Sequence, residues 1–214
     1  MLKLYFAPRT RATRARWLLE EAGAPHELVP VDLAAGENRT PAYRALHPLG
    51  KVPVLSDGEV TIYETAAILA TIADRFPEAR LAPPVSSPQR ALYYQWIAFA
   101  VGEMEAPIGA VMRHSARLPE AQRLPAAAAE GRARFDAVAA ALESALAGRD
   151  YLLGEFSAAD VMVGGHLIWA RKYGLLEGRP VLEAYCARLS ARPAYRRANQ
   201  EIGTSIGGCS SERR

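Results

Sequence analysis

The stretch HPLGKVPVLSDGEVTIYETAAIL, residues 47–69, carries the strongest structural signal in the chain. Val52-Pro53-Val54-Leu55 and Val60-Thr61-Ile62-Tyr63 are two short apolar runs, and Asp57-Gly58 between them tolerates the positive φ of a tight turn. The two runs therefore read as antiparallel neighbours. Glu64-Thr65 then opens a helix that carries Ala67, Ile68 and Ile72 and stops at Phe76-Pro77.

Upstream, Leu2, Leu4 and Phe6 alternate with Lys3 and Tyr5, a strand pattern that Pro8 closes. A helix follows with Ala15, Leu18, Leu19 and Ala22 on one face, and Gly23 with Pro25 supplies its stop. Glu27-Leu28-Val29-Pro30-Val31 reads as a second strand, and Pro30, which has no N–H for a ladder, assigns it to a sheet edge. Thr40 caps and Pro41 begins a short helix that ends by His47. The order is β-α-β-α-β-β-α.

Downstream, residues 81–88 are rich in Pro and Ser without periodicity and read as a linker. Beyond them only helices are expected. One spans about 89–115 with a kink at Pro107, and a second spans about 126–147 with Phe135, Val138, Leu142 and Leu146 on one face and Gly148 after it. Ser157-Ala158-Ala159-Asp160 begins a third through a capping box, Ser capping the helix and Asp in the reciprocal position. Shorter helices follow Pro180 and Pro193, and the tail 203–214 is small and polar and is expected to be mobile. The units are thus 1–80, a linker 81–88, a helical part 89–202 and the tail.

Composition narrows the function. The 214 residues carry a formal net charge of only +3, too little for a dedicated nucleic-acid binder. Apolar stretches are cut by Arg, Glu or Asp before the ~18 residues of a membrane span, and the chain begins directly with a strand, so neither secretion nor membrane insertion is expected. Two cysteines, Cys186 and Cys209, make no disulfide framework and no Cys-x-x-Cys pair, which suits a reducing cytoplasm. The four histidines, His26, His47, His114 and His166, lack metal-ligand spacing and read as core or surface residues. No metal is expected.

The β-α-β-α-β-β-α unit with helices after it resembles the glutathione transferase superfamily over nearly the whole chain, up to about Ile202. Three landmarks carry the resemblance: KLYFAPRTRATRARWLLEEAG, HPLGKVPVLSDGEVTIYETAAIL and SAAD, the second being the most specific. It implies an α/β plus all-α fold, a thioredoxin-like N-terminal domain followed by an α-helical bundle, and a bacterial cytosolic type with a hydroxyl-using active-site loop. It also implies glutathione as co-substrate and a homodimer.

Glutathione is an extended tripeptide with a thiol between two charged ends, and the resemblance distributes its contacts. Val52 would pair with the cysteinyl backbone, the Val52-Pro53 bond being cis in the family although most X-Pro bonds are trans. Glu64 and Thr65 would hold the γ-glutamyl end, with free N–H groups at a helix start; the plainer reading of this pair is a helix cap. Lys51 would reach the glycine carboxylate or simply be solvated. A free thiol, with a pKa of ~8.5, needs help to ionise near neutrality.

The family supplies that help from a Tyr, Ser or Cys near the first strand or helix, and here the chain departs from it. No Ser or Cys lies between Pro8 and Glu21, and the hydroxyls available are Tyr5, Thr10 and Thr13. Thr10, in the loop where hydroxyl-using relatives place their donor, is the first choice, then Arg11, then Tyr5 or Thr13. Arg9, Arg11, Arg14 and Arg16 at a helix N-terminus oppose its dipole by roughly several tenths of a kcal/mol each, which suggests that they face an anion or form a solvated basic patch. The electrophile would lie against the long helix at Tyr94, Phe99, Glu103 and Arg113, around Pro107, although such a stripe is also what helix packing produces. The expected activity is conjugation of glutathione to a small electrophile. Glutathione-dependent disulfide or peroxide reduction, and non-catalytic binding, are the alternatives.

Overall fold

A computed structural model describes residues 1–200. The readings for the tail and for Cys209 lie outside the described residues. Four strands, β1 (Leu2–Phe6), β2 (His26–Pro30), β3 (Val54–Ser56) and β4 (Thr61–Tyr63), form one sheet in the order β2-β1-β3-β4. β1 pairs parallel with β2 and antiparallel with β3, and β3 pairs antiparallel with β4. Pro30 stands on the edge strand, where its missing N–H costs no ladder bond.

The pleat sorts side chains between two layers. Leu2, Leu4, Phe6 and Leu55 belong to the main core with residues of α1 (Ala12–Glu21) and α3 (Thr65–Arg75). On the other face Tyr5 and Val54 pack with Tyr43 of α2 (Pro41–Leu46), which Thr40 caps through the Tyr43 N–H at 3.3 Å. The segment 81–88 has no helix or strand and leads into the helical part.

The long helix is interrupted. α4 (Gln89–Phe99) continues through a π-helical turn at Ala100–Met104 into α5 (Glu105–Met112), and a second π turn spans Arg113–Arg117. Pro107 has no N–H for the Glu103 carbonyl, and the turn is widened just ahead of it rather than at the proline itself. α6 (Pro125–Ala145), α7 (Ala158–Arg171), α8 (Pro180–Ala191) and α9 (Pro193–Asn199) complete the helical part. Phe135, Val138, Leu142 and Leu146 are buried, as their spacing predicts.

One network anchors α7 within the helical part, and a second joins that part to α1. Asp160 is fully buried and accepts four hydrogen bonds: from Ser157 N and Oγ at 2.9 and 3.0 Å, Leu152 N at 3.0 Å and Tyr185 Oη at 2.8 Å. The Ala158 N–H donates to Leu81 O at 2.8 Å, which ties α7 to the linker. α9 lies on α1, where Arg192 makes two bonds to Glu21 at 2.6 and 2.9 Å, Arg197 pairs with Glu20 at 2.7 Å, and Tyr195 packs edge-on against Trp17.

Candidate functional site

A cleft with about 820 Å³ of space opens where the start of β3, the start of α3 and the first turns of α1 meet α5 and α7. Lys51, Val52, Pro53, Glu64 and Thr65 line it. Each is placed by its neighbours. Gly50 has φ +59° and sits so close to the Asn38 backbone that a Cβ would lie 2.5 Å from its carbonyl oxygen, so only glycine fits. Asn38 Nδ2 donates to Gly50 O at 2.6 Å, and Tyr43 Oη donates to Lys51 O at 2.9 Å. The loop thus arrives held at Val52, which stands before β3 and outside its ladder, with a cis bond to Pro53.

Glu64 has φ 73° and ψ 118°, a conformation that costs a residue with a side chain about 1–3 kcal/mol. The turn aims its exposed carboxylate at the cleft while Thr65, 6% exposed, begins α3. The first α3 amides precede the Ile68 N–H to Glu64 O bond and have no helical partner, so they present the positive end of the dipole. His47 also lines the cleft, 2% exposed and stacked on Tyr63 at 4.6 Å, and burial lowers its pKa. Its position in the cleft wall was not legible in the histidine spacing.

The opposite wall is cationic. Arg11 pairs with Glu105 and lies 5.7 Å over the Trp169 ring. Arg14 is buried, and its Nη1 donates to His166 Nε2 at 3.2 Å. The His166 Nδ1–H donates to Met162 O at 2.9 Å, which makes the imidazole neutral with Nε2 as acceptor. Burial first, then the charge of Arg11, pushes Arg14 down to about 9. Gly165 makes room for it, since a Cβ there would stand 2.4 Å from Arg14 Nε.

This arrangement can receive an extended, doubly charged peptide. Residues 1–74 match the family model for the glutathione S-transferase N-terminal domain, and residues 125–188 match that for the C-terminal domain. Glutathione S-transferase 4 of Zea mays is 31% identical over 201 residues, covering 91% of this chain and 90% of the relative. The chain belongs to the glutathione S-transferase family. Solved structures agree with this transferase in fold. A sphingomonad glutathione S-transferase complexed with glutathione is 32% identical with a TM-score of 0.80, over 92% of this chain and 96% of that one. Glutathione transferase F7 from Populus trichocarpa is 26% identical with a TM-score of 0.84, over 92% and 97%.

Other sequence readings fall differently in the transferase. The Thr10 hydroxyl donates to Ala7 O at 2.6 Å and accepts from Ala12 N at 3.2 Å, so its one proton is directed into the loop that carries it. Thr10, Thr13 and Arg9 line a second cleft, between α1, α7 and α9, and not the first. Tyr5 packs edge-on to Tyr43 on the far side of the sheet. Arg16 is buried against Phe6 and donates to Gln200 O at 2.9 Å, so it is a packing residue.

The stripe expected to meet the electrophile stands apart from both clefts. Tyr94 lies under Arg90 at 4.8 Å, Phe99 packs on Trp96 at 5.3 Å, Glu103 and Arg113 are exposed, and none of the four lines either cleft. From this helix the first cleft receives Val101 and Glu105 instead. The π turn holds more residues than an α turn and shifts the faces of Glu103 and Arg113 relative to a regular 3.6-residue period, whereas Tyr94 and Phe99 precede it. Among the described residues no group of three His, Cys, Asp or Glu could hold a metal ion, and no helix is long and apolar enough to cross a membrane.

Proposed function

We propose that this glutathione transferase holds glutathione in the first cleft, ionises its thiol against the α1 arginines, and conjugates it to a small electrophile. The observation that carries the reading is the convergence of Val52, Glu64 and Thr65 on one side of a cleft whose other side is Arg11 and Arg14. In this reading the Val52 main chain pairs with the cysteinyl amide. The Glu64 carboxylate accepts from the γ-glutamyl amine, and Thr65 with the free α3 amides donates to its carboxylate. Lys51 takes the glycine carboxylate.

Arg11 is placed ahead of Thr10 as the activating group. A cation within about 4–6 Å favours a thiolate, whereas a hydroxyl whose proton already goes to Ala7 O has none to offer without turning. The glutathione-holding unit would be 1–80 and the helical unit 89–202, and two copies would pair into a cytoplasmic homodimer.

The test is the ultraviolet absorbance of the thiolate of bound glutathione as a function of pH. The wild type should ionise below the ~8.5 of a free thiol. Arg11→Ala should move that midpoint up, and more strongly at low salt, since exposed charges are screened. Bound glutathione that ionises like free glutathione would sink the reading.

A further inference from the structure

The second cleft has about 620 Å³ of space and a wall that includes Arg9, Arg11, Arg14 and Lys172 beside Trp169 and Tyr195. Among the described residues no aspartate or glutamate lines it. Among the described residues Arg9, Arg14 and Lys172 have no carboxylate within ion-pair distance, while the partner of Arg11, Glu105, lines the first cleft.

Arg14 makes the point sharpest. It is only 5% exposed, its one hydrogen-bond partner among the described residues is a neutral imidazole, and it lines both clefts.

 A buried guanidinium with no carboxylate in ion-pair contact is costly, and Arg9 and Lys172 add two further cations, unpaired among the described residues, on the side of the second cleft, which favours an anion there. The flat Trp169 ring under Arg11 and the Tyr195 ring edge-on to Trp17 add aromatic surface to the same cavity.

We propose that the second cleft binds the electrophile, and that its preferred electrophiles carry a carboxylate or sulfonate on an aromatic body. This rests on the reading that glutathione occupies the first cleft. The two clefts meet at Arg11 and Arg14, which line both, so a thiolate held against those arginines stands at the border. For an anionic aryl chloride the step is a substitution. The thiol proton leaves to solvent, the thiolate electron pair forms a C–S bond to the ring carbon bearing chlorine, and the C–Cl bond breaks with its electron pair leaving on chloride.

The experiment compares 4-chloro-3-nitrobenzoate with its methyl ester, each kcat/KM divided by the uncatalysed rate with glutathione to remove intrinsic reactivity. The carboxylate should be preferred by about tenfold or more, and the preference should shrink as salt rises. Lys172→Met and Arg9→Met should each reduce that ratio several-fold. Equal treatment of acid and ester, or a preference that both variants retain, overturns the proposal. Calorimetry of glutathione on the same preparations separates the two readings. Wild-type protein that binds glutathione without preferring the acid refutes the anionic electrophile, whereas failure to bind glutathione refutes the underlying site.

Discussion

Glu64 and Thr10 show how a single residue's geometry decides its chemistry. Glu64 is held at positive φ with its carboxylate at the cleft, a conformation retained against an intrinsic cost. Glu64→Ala should weaken glutathione binding by ~1–3 kcal/mol, the range for a lost charge-assisted hydrogen bond, as read by calorimetry. An unchanged dissociation constant removes it from the site. Thr10 binds Ala7 O and Ala12 N, so its hydroxyl organises the turn into α1. Thr10→Val should therefore lower stability by ~0.5–2 kcal/mol while the ionisation midpoint of bound glutathione stays near wild type. A large upward shift of that midpoint with stability intact would return the donor role to Thr10.

At the level of elements, α7 is anchored by more than a cap. The Ser157-Asp160 spacing announces a capping box, worth ~0.5–2 kcal/mol in general. The fold adds Leu152 N and Tyr185 Oη as further donors to the same buried carboxylate. Asp160→Ala leaves four donors without their acceptor, and its cost should rise to ~3–5 kcal/mol in urea or thermal unfolding. Protein that remains folded should still bind glutathione, since Asp160 lines neither cleft. A loss of stability no larger than that of an isolated cap would show that the added bonds contribute little.

Across the whole molecule, His166 links α7 to α1 through Arg14, and its ionisation is coupled to folding. Burial first, then Arg14 and Arg11, holds its pKa well below the ordinary value, opposed by the Met162 carbonyl. Between the folded and unfolded pKa values the unfolded chain binds the extra proton, so stability rises with pH there. The contribution is complete above about pH 6.5 and is lost as pH falls below it, by up to about 1.4 kcal/mol per unit. His47, also lowered by burial, acts in the same direction. Urea unfolding from pH 7.5 down to 5 should show this loss, and His166→Gln should flatten part of the slope. A wild-type stability that does not change over that range contradicts the coupling.

Much of this architecture is local in origin and was legible in the chain itself. The Asp57-Gly58 turn, the Leu2-Leu4-Phe6 alternation, the edge position of Pro30 and the helix starts at Pro41, Ser157, Pro180 and Pro193 depend on backbone preferences and short-range periodicity. The order of elements followed from them, whereas the grouping of Val52 with Glu64 came from the family resemblance. The family resemblance added the cis bond at Pro53 and the ligand proposed for those residues. What the tertiary structure alone decided concerns direction and partnership. Thr10 and Arg11 are neighbours in sequence, yet only Arg11 lines the first cleft, because the hydroxyl turns back to Ala7 O. Around the π turn at Ala100–Met104 it is Val101 and Glu105 that line the first cleft, which a regular helical period did not single out. The sequence left Arg14 as one of four arginines that face an anion or form a solvated patch, and the structure buries it under α7, with Gly165 leaving the space and His166 the acceptor. Periodicity specifies which face of an element is apolar, but which distant group stands opposite a given polar atom is set by packing between elements far apart in the chain.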